Sequence, residues 1–224
     1  MLLDYNPNIN EPIGPLTAVG SVQRIFPLPI ELGGLTMTIN GAAVGLKMVS
    51  QRQIVFVVPR GLASTVSGTS YPIVINNNGI VFKGSITIVP VRPDIFTFSA
   101  VPAPSGRARI FNVTNTVFRT EPFNVTTLRI RGGRRVPTVL RLFLTGVNTV
   151  PANLFNVRIG SVTLTSAQIL SGAVEREPGI YSFDFTLPPN LQGAGDVPII
   201  VSVTLAGVTF ISRVDDTAPR FRIL

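Results

Sequence analysis

Tyr181-Ser182-Phe183-Asp184-Phe185-Thr186-Leu187, closed by Pro188, decides the fold class. Its odd positions are all large and apolar, and its even positions are polar. Successive side chains of an extended chain point to opposite faces, so this period of two predicts a strand with one buried face. Ser182, Asp184 and Thr186 are expected to face out. Pro188 ends the strand because proline has no N–H to give to a sheet. Upstream, Gln53-Ile54-Val55-Phe56-Val57-Val58 reads the same way, with Ile54, Phe56 and Val58 on one face and Pro59 closing the run.

Working outward from these two strands, the chain repeats itself. Leu35–Leu62 and Tyr71–Val89 form one copy, and Phe155–Leu191 and Val197–Val214 form the other. Each copy reads as strand, tight glycine turn, strand, polar connection, and a strand ending in proline. A hairpin follows, turning at Asn78-Gly79 in the first copy and at Ala206-Gly207 in the second. Asn-Gly supplies the positive φ angles that a two-residue hairpin turn needs. Short strands at this spacing predict an all-β protein of two tandem immunoglobulin-like antiparallel β-sandwich domains. The expected division is an amino-terminal extended segment at 1–19 and a first sandwich at 20–98. A Pro-rich linker at 99–106 and a second sandwich at 107–224 complete it. Four prolines, Pro90, Pro93, Pro102 and Pro104, stiffen the junction, and Ile95, Phe96 and Phe98 have the character to pack on either domain.

Composition agrees. The 224 residues are 45% hydrophobic and 13% charged, which is enough apolar material for two cores and the reverse of a disordered chain. Mean hydropathy is +0.42, yet the longest apolar stretch, Val197–Ile211, is too short for a spanning helix and carries Ser202, Thr204 and Thr209 at strand spacing. The start, MLLDYNPNIN, lacks the basic n-region of a signal peptide. For an extracellular protein, Met1 is then expected not to be the start of the full precursor. Residues 1–13 are polar and offer little to bury, so they are expected to pair by backbone as an added strand, in the same chain or on a neighbouring subunit.

The chain has no cysteine and no histidine. Disulfides, thiolate chemistry and the commonest general base and metal ligand are thereby excluded. Serine and threonine are plentiful, but no histidine or Ser-x-x-Lys pattern is there to activate one. Glu175 and Glu177 flank Arg176 before Pro178-Gly179, and read as a solvated turn rather than two carboxyls facing across a cleft. Asp215-Asp216, with Asp196 elsewhere, are oxygen ligands for Ca²⁺ in principle, but further ligands are not identifiable by spacing. A turn paired to Arg213 or Arg220 is the expected reading. Asn112-Val113-Thr114 and Asn124-Val125-Thr126 match the glycosylation pattern, which arises often by chance in a Thr-rich β protein. No catalytic residue, cofactor or metal is expected.

Net charge is +8, carried by 17 Arg and two Lys. Residues 1–98 hold six basic and four acidic groups (+2), and residues 99–224 hold thirteen and seven (+6). The densest cluster is Arg129-Ile130-Arg131-Gly132-Gly133-Arg134-Arg135. A strand through Leu128–Arg131 would put Arg129 and Arg131 on one exposed face, with the Gly pair turning into Arg134 and Arg135. These four arginines are the candidate interaction patch. Guanidinium forks suit phosphates, sulfates and carboxylates. No aromatic residue is interleaved, so nucleic acid is not the expected partner. Acidic polysaccharide, a membrane surface or a neighbouring subunit is.

Several segments resemble the carboxy-terminal, tandem IPT/TIG-like modules of large secreted or surface proteins of Acidobacteria and related bacteria. They are Gly20–Phe26, Pro27–Val44, Gln53–Pro59 and Pro93–Phe98 in the first half, and Phe123–Val147, Gly193–Val203 and Asp215–Ile223 in the second. The resemblance implies a two-domain, non-catalytic extracellular module, and brings no catalytic residues with it. In that family an insert usually follows the strand that Gly20–Phe26 resembles. Here Phe26 runs straight into Pro27-Leu28-Pro29, so the first domain is expected to be trimmed at one edge. The expected function is a structural or adhesion module at the cell surface. Its rivals are a filament subunit assembled by strand addition and a carbohydrate-binding module. The last is disfavoured by the lack of Trp and the presence of only three Tyr.

Overall fold

The computed structural model describes residues 2–4, 27–50, 53–99, 103–115 and 118–224. The chain is all-β and divides into two compact units, Met1–Pro90 and Val91–Leu224. The segment 20–26, expected to be the first strand of the first sandwich, lies outside the described residues, as do 5–19.

In the first unit the strands are β1 (Leu2–Asp4), β2 (Glu31–Leu32), β3 (Leu35–Ile39), β4 (Ala42–Ala43), β5 (Gly45–Val49), β6 (Gln53–Val57), β7 (Thr69–Asn77) and β8 (Ile80–Ile88). They form two antiparallel sheets, β2-β3-β7-β8 with β4 on β3, and β1-β6-β5. Alternate residues of both sheets share one core: Leu35, Met37 and Ile39 from β3, Leu46 and Val49 from β5, Ile54 and Phe56 from β6, Ile73 and Ile86 from β7 and β8. Val58, expected in this row, is only partly buried against it, since β6 ends at Val57. The Asn78-Gly79 turn forms as read, with φ of 49° and 93° between Asn77 and Ile80. The chain's two lysines lie on the outermost strands of these sheets. Lys83 is exposed on β8, and Lys47 stands at a bulge of β5 between Leu46 and Met48.

The amino terminus is paired within its own chain. Leu2, Leu3 and Asp4 lie antiparallel to Val55, Ile54 and Gln53, so β1 completes one edge of β6.

The second unit begins earlier than position 107. Its strands are β9 (Asp94–Ile95), β10 (Thr97–Ser99), β11 (Arg107–Ala108), β12 (Ile110–Asn112), β13 (Thr126–Leu128), β14 (Arg135–Pro137), β15 (Val139–Thr145), β16 (Phe155–Ile159), β17 (Val162–Thr163), β18 (Val174–Glu177), β19 (Ile180–Thr186), β20 (Gly195–Leu205), β21 (Val208–Ile211) and β22 (Arg220–Ile223). β9 pairs with β15, matching Ile95 to Leu144, and β10 pairs with β11. Residues 91–98 therefore belong to the second unit rather than to a first domain ending at 98. Likewise 99–106, expected to be a linker, connects two paired strands of one unit. Backbone pairing decides this, and proline content does not reveal it.

One sheet of this unit runs β10-β11-β22-β20-β16-β17 with β21 on β20; the other runs β12-β15-β19-β18 with β9 on β15. A two-stranded ribbon, β13-β14, stands apart from both. Phe155 of β16 stacks on Phe183 of β19 at 4.6 Å between ring centroids, joining the inner faces of the two sheets. Phe183, Phe185 and Leu187 are buried as the alternation predicts. Ser182 is a correction: expected outside, it is fully buried, beside Phe143 in register and accepting a hydrogen bond from Arg176 Nε at 2.8 Å.

The internal repeat is a repeat of pairing. β3-β4, β3-β7 and β7-β8 in the first unit correspond to β16-β17, β16-β20 and β20-β21 in the second. In the other sheets β5-β6 corresponds to β18-β19. At Ala206-Gly207 the second hairpin turns with φ of 46° and 78°, so alanine occupies a left-handed position that asparagine fills in the first.

Candidate functional site

The four arginines of the candidate patch come together on the β13-β14 ribbon. Thr126 pairs with Pro137, Thr127 with Val136 and Leu128 with Arg135. Beyond Leu128 the strand stops, so Arg129 and Arg131 do not share a strand face as expected. Instead the Arg129 N–H donates to the Arg134 carbonyl at 2.9 Å and closes a loop in which Gly132 and Gly133 take φ of 96° and 59°. Two adjacent left-handed glycines break the extended geometry that the alternation Leu-Arg-Ile-Arg suggested. Arg129, Arg131, Arg134 and Arg135 are all exposed.

The ribbon is seated by hydroxyl and amide groups. Asn112 Nδ2 donates to Thr127 Oγ1 at 2.8 Å, and Thr127 and Thr138 exchange a hydroxyl hydrogen bond at 2.7 Å. Thr138 Oγ1, fully buried, donates to the Asn124 carbonyl at 2.6 Å. Asn115 holds the loop's flank, donating to the Leu128 carbonyl and accepting from the Ile130 N–H. Thr127 thus points to the body of the unit, and by the period of two Leu128 and Arg135 point away from it. Asn112, an apparent glycosylation acceptor, uses its amide nitrogen in this seat, while Asn124 is exposed.

Around β11, β20 and β22 the charges are engaged with each other. Arg107 on β11 forks onto Glu121, through Nε at 2.8 Å to Oε1 and Nη2 to Oε2, and its Nη1 reaches Asp196 Oδ1 at 2.5 Å. Arg220 on β22 donates through Nε to Asp196 Oδ2 at 2.7 Å, and the Arg222 N–H donates to Glu121 Oε2 at 2.6 Å. These bonds bind β11, β22 and β20 side by side. The Arg107 guanidinium is raised well above its ordinary value, mainly by its bond to Glu121. Asp196 feels partial burial, which raises its pKa, but the bonds from Arg220 and Arg107 outweigh it and hold the carboxyl below the usual range.

A group with a lowered native pKa stabilises the fold above its unfolded value and loses that contribution as pH falls through the native one. The protein is therefore expected to lose stability below about pH 4. Asp196→Asn should flatten that part of the curve when midpoints of urea unfolding are compared across pH. Equal acid slopes in the two proteins would count against this role.

The other candidates resolve differently. Arg213 and Arg220 do not pair with Asp215-Asp216: Arg213 goes to Asp94 at 2.8 Å and Arg220 to Asp196. Among the described residues no three acidic side chains stand close enough to hold a metal ion. Glu175 and Glu177 are not on a turn tip; they lie half-buried on β18, an outer strand paired to β19 through a bulge at Arg176.

Sequence reasoning missed an aromatic face. On the outside of the β12-β15-β19 sheet, Phe111 packs edge-on to Phe98, Phe118 and Phe143 at centroid distances of 5.2 to 5.8 Å. Arg109 lies 4.6 Å over Phe143, and Arg141, 5.7 Å over Phe118, is held in a two-bond fork by Asp184 across the strand pair.

Compared with protein-family models, curated proteins and solved structures, the chain matches none. Among the described residues no helix is long and apolar enough to cross a membrane.

Proposed function

We propose that this chain is a non-catalytic structural and adhesion module of a bacterial surface or secreted protein, its two units being immunoglobulin-like sandwiches in tandem. The observation that carries the reading is the repeated strand pairing of the two units, each with two sheets around one core. Its support in side-chain chemistry is that Arg107, Arg141, Arg213 and Arg220 engage Glu121, Asp184, Asp94 and Asp196 in pairs that tie strands to one another and to their flanking loops. Such a module acts by presenting surface. Antibodies against the folded chain should label intact cells that produce it as strongly as permeabilised ones; labelling only after permeabilisation would sink the surface assignment.

A second reading, the filament subunit, is favoured by β1. A three-residue strand added to the open edge of β6 is what a segment from a neighbouring copy would supply by the same backbone bonds. Deleting residues 1–13 is expected to abolish higher assemblies in sedimentation velocity while both units stay folded by circular dichroism. Normal assembly of the truncated chain, or an intact chain that stays monomeric at high concentration, would end that reading.

A further inference from the structure

The arginine ribbon carries more than charge. Leu128 and Ile130 stand on it 53% and 65% exposed, and Ile130 is the most exposed large hydrophobic side chain among the described residues. An aliphatic side chain two-thirds in water at the end of a ribbon built from only three residue pairs contributes nothing to a core. Arg129, Arg131, Arg134 and Arg135 surround these two side chains in sequence, and among the described residues none has a carboxylate within ion-pair distance. No acidic residue occurs in the chain between Glu121 and Glu175, so the whole ribbon is of one sign.

We propose that the tip of the β13-β14 ribbon docks onto an anionic lipid surface, with Leu128 and Ile130 entering the interface and the four arginines meeting headgroup phosphates. This goes beyond the structural role proposed above. Two exposed aliphatic side chains within a basic loop match the two layers of such a surface: an acyl boundary beneath a sheet of phosphate charge. Arginine suits the second layer because its apolar stem lies along the boundary while the guanidinium stays at the phosphates. An acidic polysaccharide satisfies the arginines equally well but gives Leu128 and Ile130 nothing to enter, which is why lipid is the better match. The rigid seat at Asn112, Thr127 and Thr138 keeps the tip presented, so docking needs no reordering of the unit.

The chain has no tryptophan, so Ile130→Trp places one reporter at the tip. Its emission is expected to shift to the blue with vesicles of phosphatidylcholine and phosphatidylglycerol, and to stay unshifted with phosphatidylcholine alone. In co-sedimentation with the same anionic vesicles, Leu128→Ser with Ile130→Ser should weaken binding about tenfold or more. Each arginine replaced by glutamine should weaken it on the order of fivefold, an effect that fades in high salt. Melting temperatures of all variants should stay close to that of the parent, since these side chains are exposed and the bonds that hold the tip run through the backbone of Leu128 and Ile130. An unshifted Ile130→Trp emission with anionic vesicles would overturn the proposal. So would undiminished vesicle binding by the double serine variant, which would mean adsorption by charge alone. Retention on heparin without vesicle binding would assign the ribbon to acidic polysaccharide instead.

Discussion

Phe183→Ala is expected to lower the stability of the second unit by about 3–5 kcal/mol, enough to leave it largely unfolded at moderate temperature. Phe183 is fully buried, stacks on Phe155 from the opposite sheet, and lies 5.8 Å from Phe185 on its own strand. Truncation removes the ring that joins two sheets and leaves a void among side chains fixed by backbone pairing, so little collapse can fill it. Urea unfolding followed by circular dichroism measures the loss. Part of the effect is the stacked pair itself, and a double-mutant cycle with Phe155→Leu and Phe183→Leu should return a coupling of about 0.5–1.5 kcal/mol. A midpoint that hardly moves in Phe183→Ala would remove the sandwich assignment for this unit.

Gly146→Ala should be nearly as damaging, on the order of 3 kcal/mol, although it adds a single methyl group. Gly146 has φ of 71°, and its carbonyl accepts the Arg92 N–H at 2.7 Å. A Cβ here would stand 1.9 Å from the Arg92 carbonyl oxygen, a backbone atom that no rotamer change can move. The collision falls where residues 91–95 join β15, so it should peel β9 from the sheet. Gly207→Ala is the control. It has φ of 78° with nothing within 4 Å of the added carbon, and should cost only the left-handed penalty of about 1–2 kcal/mol. Equal losses in the two variants would show that the Arg92 contact is not tight.

The strands and turns were legible in the sequence because their signals are local. Alternation at 181–187 and at 53–56 places Phe183, Phe185, Ile54 and Phe56 inside, and Asn78-Gly79 makes the hairpin. The unit boundary was not legible: Ile95 and Phe96 have no neighbour in sequence that declares which sheet Asp94–Ile95 joins, and their pairing with β15 spans some fifty residues. The Arg ribbon was found as a cluster, but its shape was misread, since alternation over four residues cannot outweigh Gly132-Gly133. The aromatic face escaped notice because Phe98, Phe111, Phe118 and Phe143 meet only through backbone pairing, of β10 on β11, of β12 on β15 and of Asn112 with Arg119. Ser182 looked like a solvent position, but it lies between Phe143 and Val174 on the two flanking strands, and its hydroxyl accepts from Arg176.

The placement of Lys47 and Lys83 has a practical side for anyone handling this protein. With two lysines in the whole chain, amine-directed dyes and cross-linkers have only these side chains and the α-amino group to attack. Positive charge and bulges on outer strands discourage a second molecule from zipping onto an open edge. Conjugation at Lys83 strips the charge from β8, nine residues long with Ile80 and Val81 half exposed, and conjugation at Lys47 does the same for β5. A labelled sample would then carry edges that the unlabelled one guards, and would precipitate for reasons unrelated to its fold. The chain has no native cysteine, so a single cysteine in place of the exposed Ala194 gives a thiol handle that leaves both lysines in place.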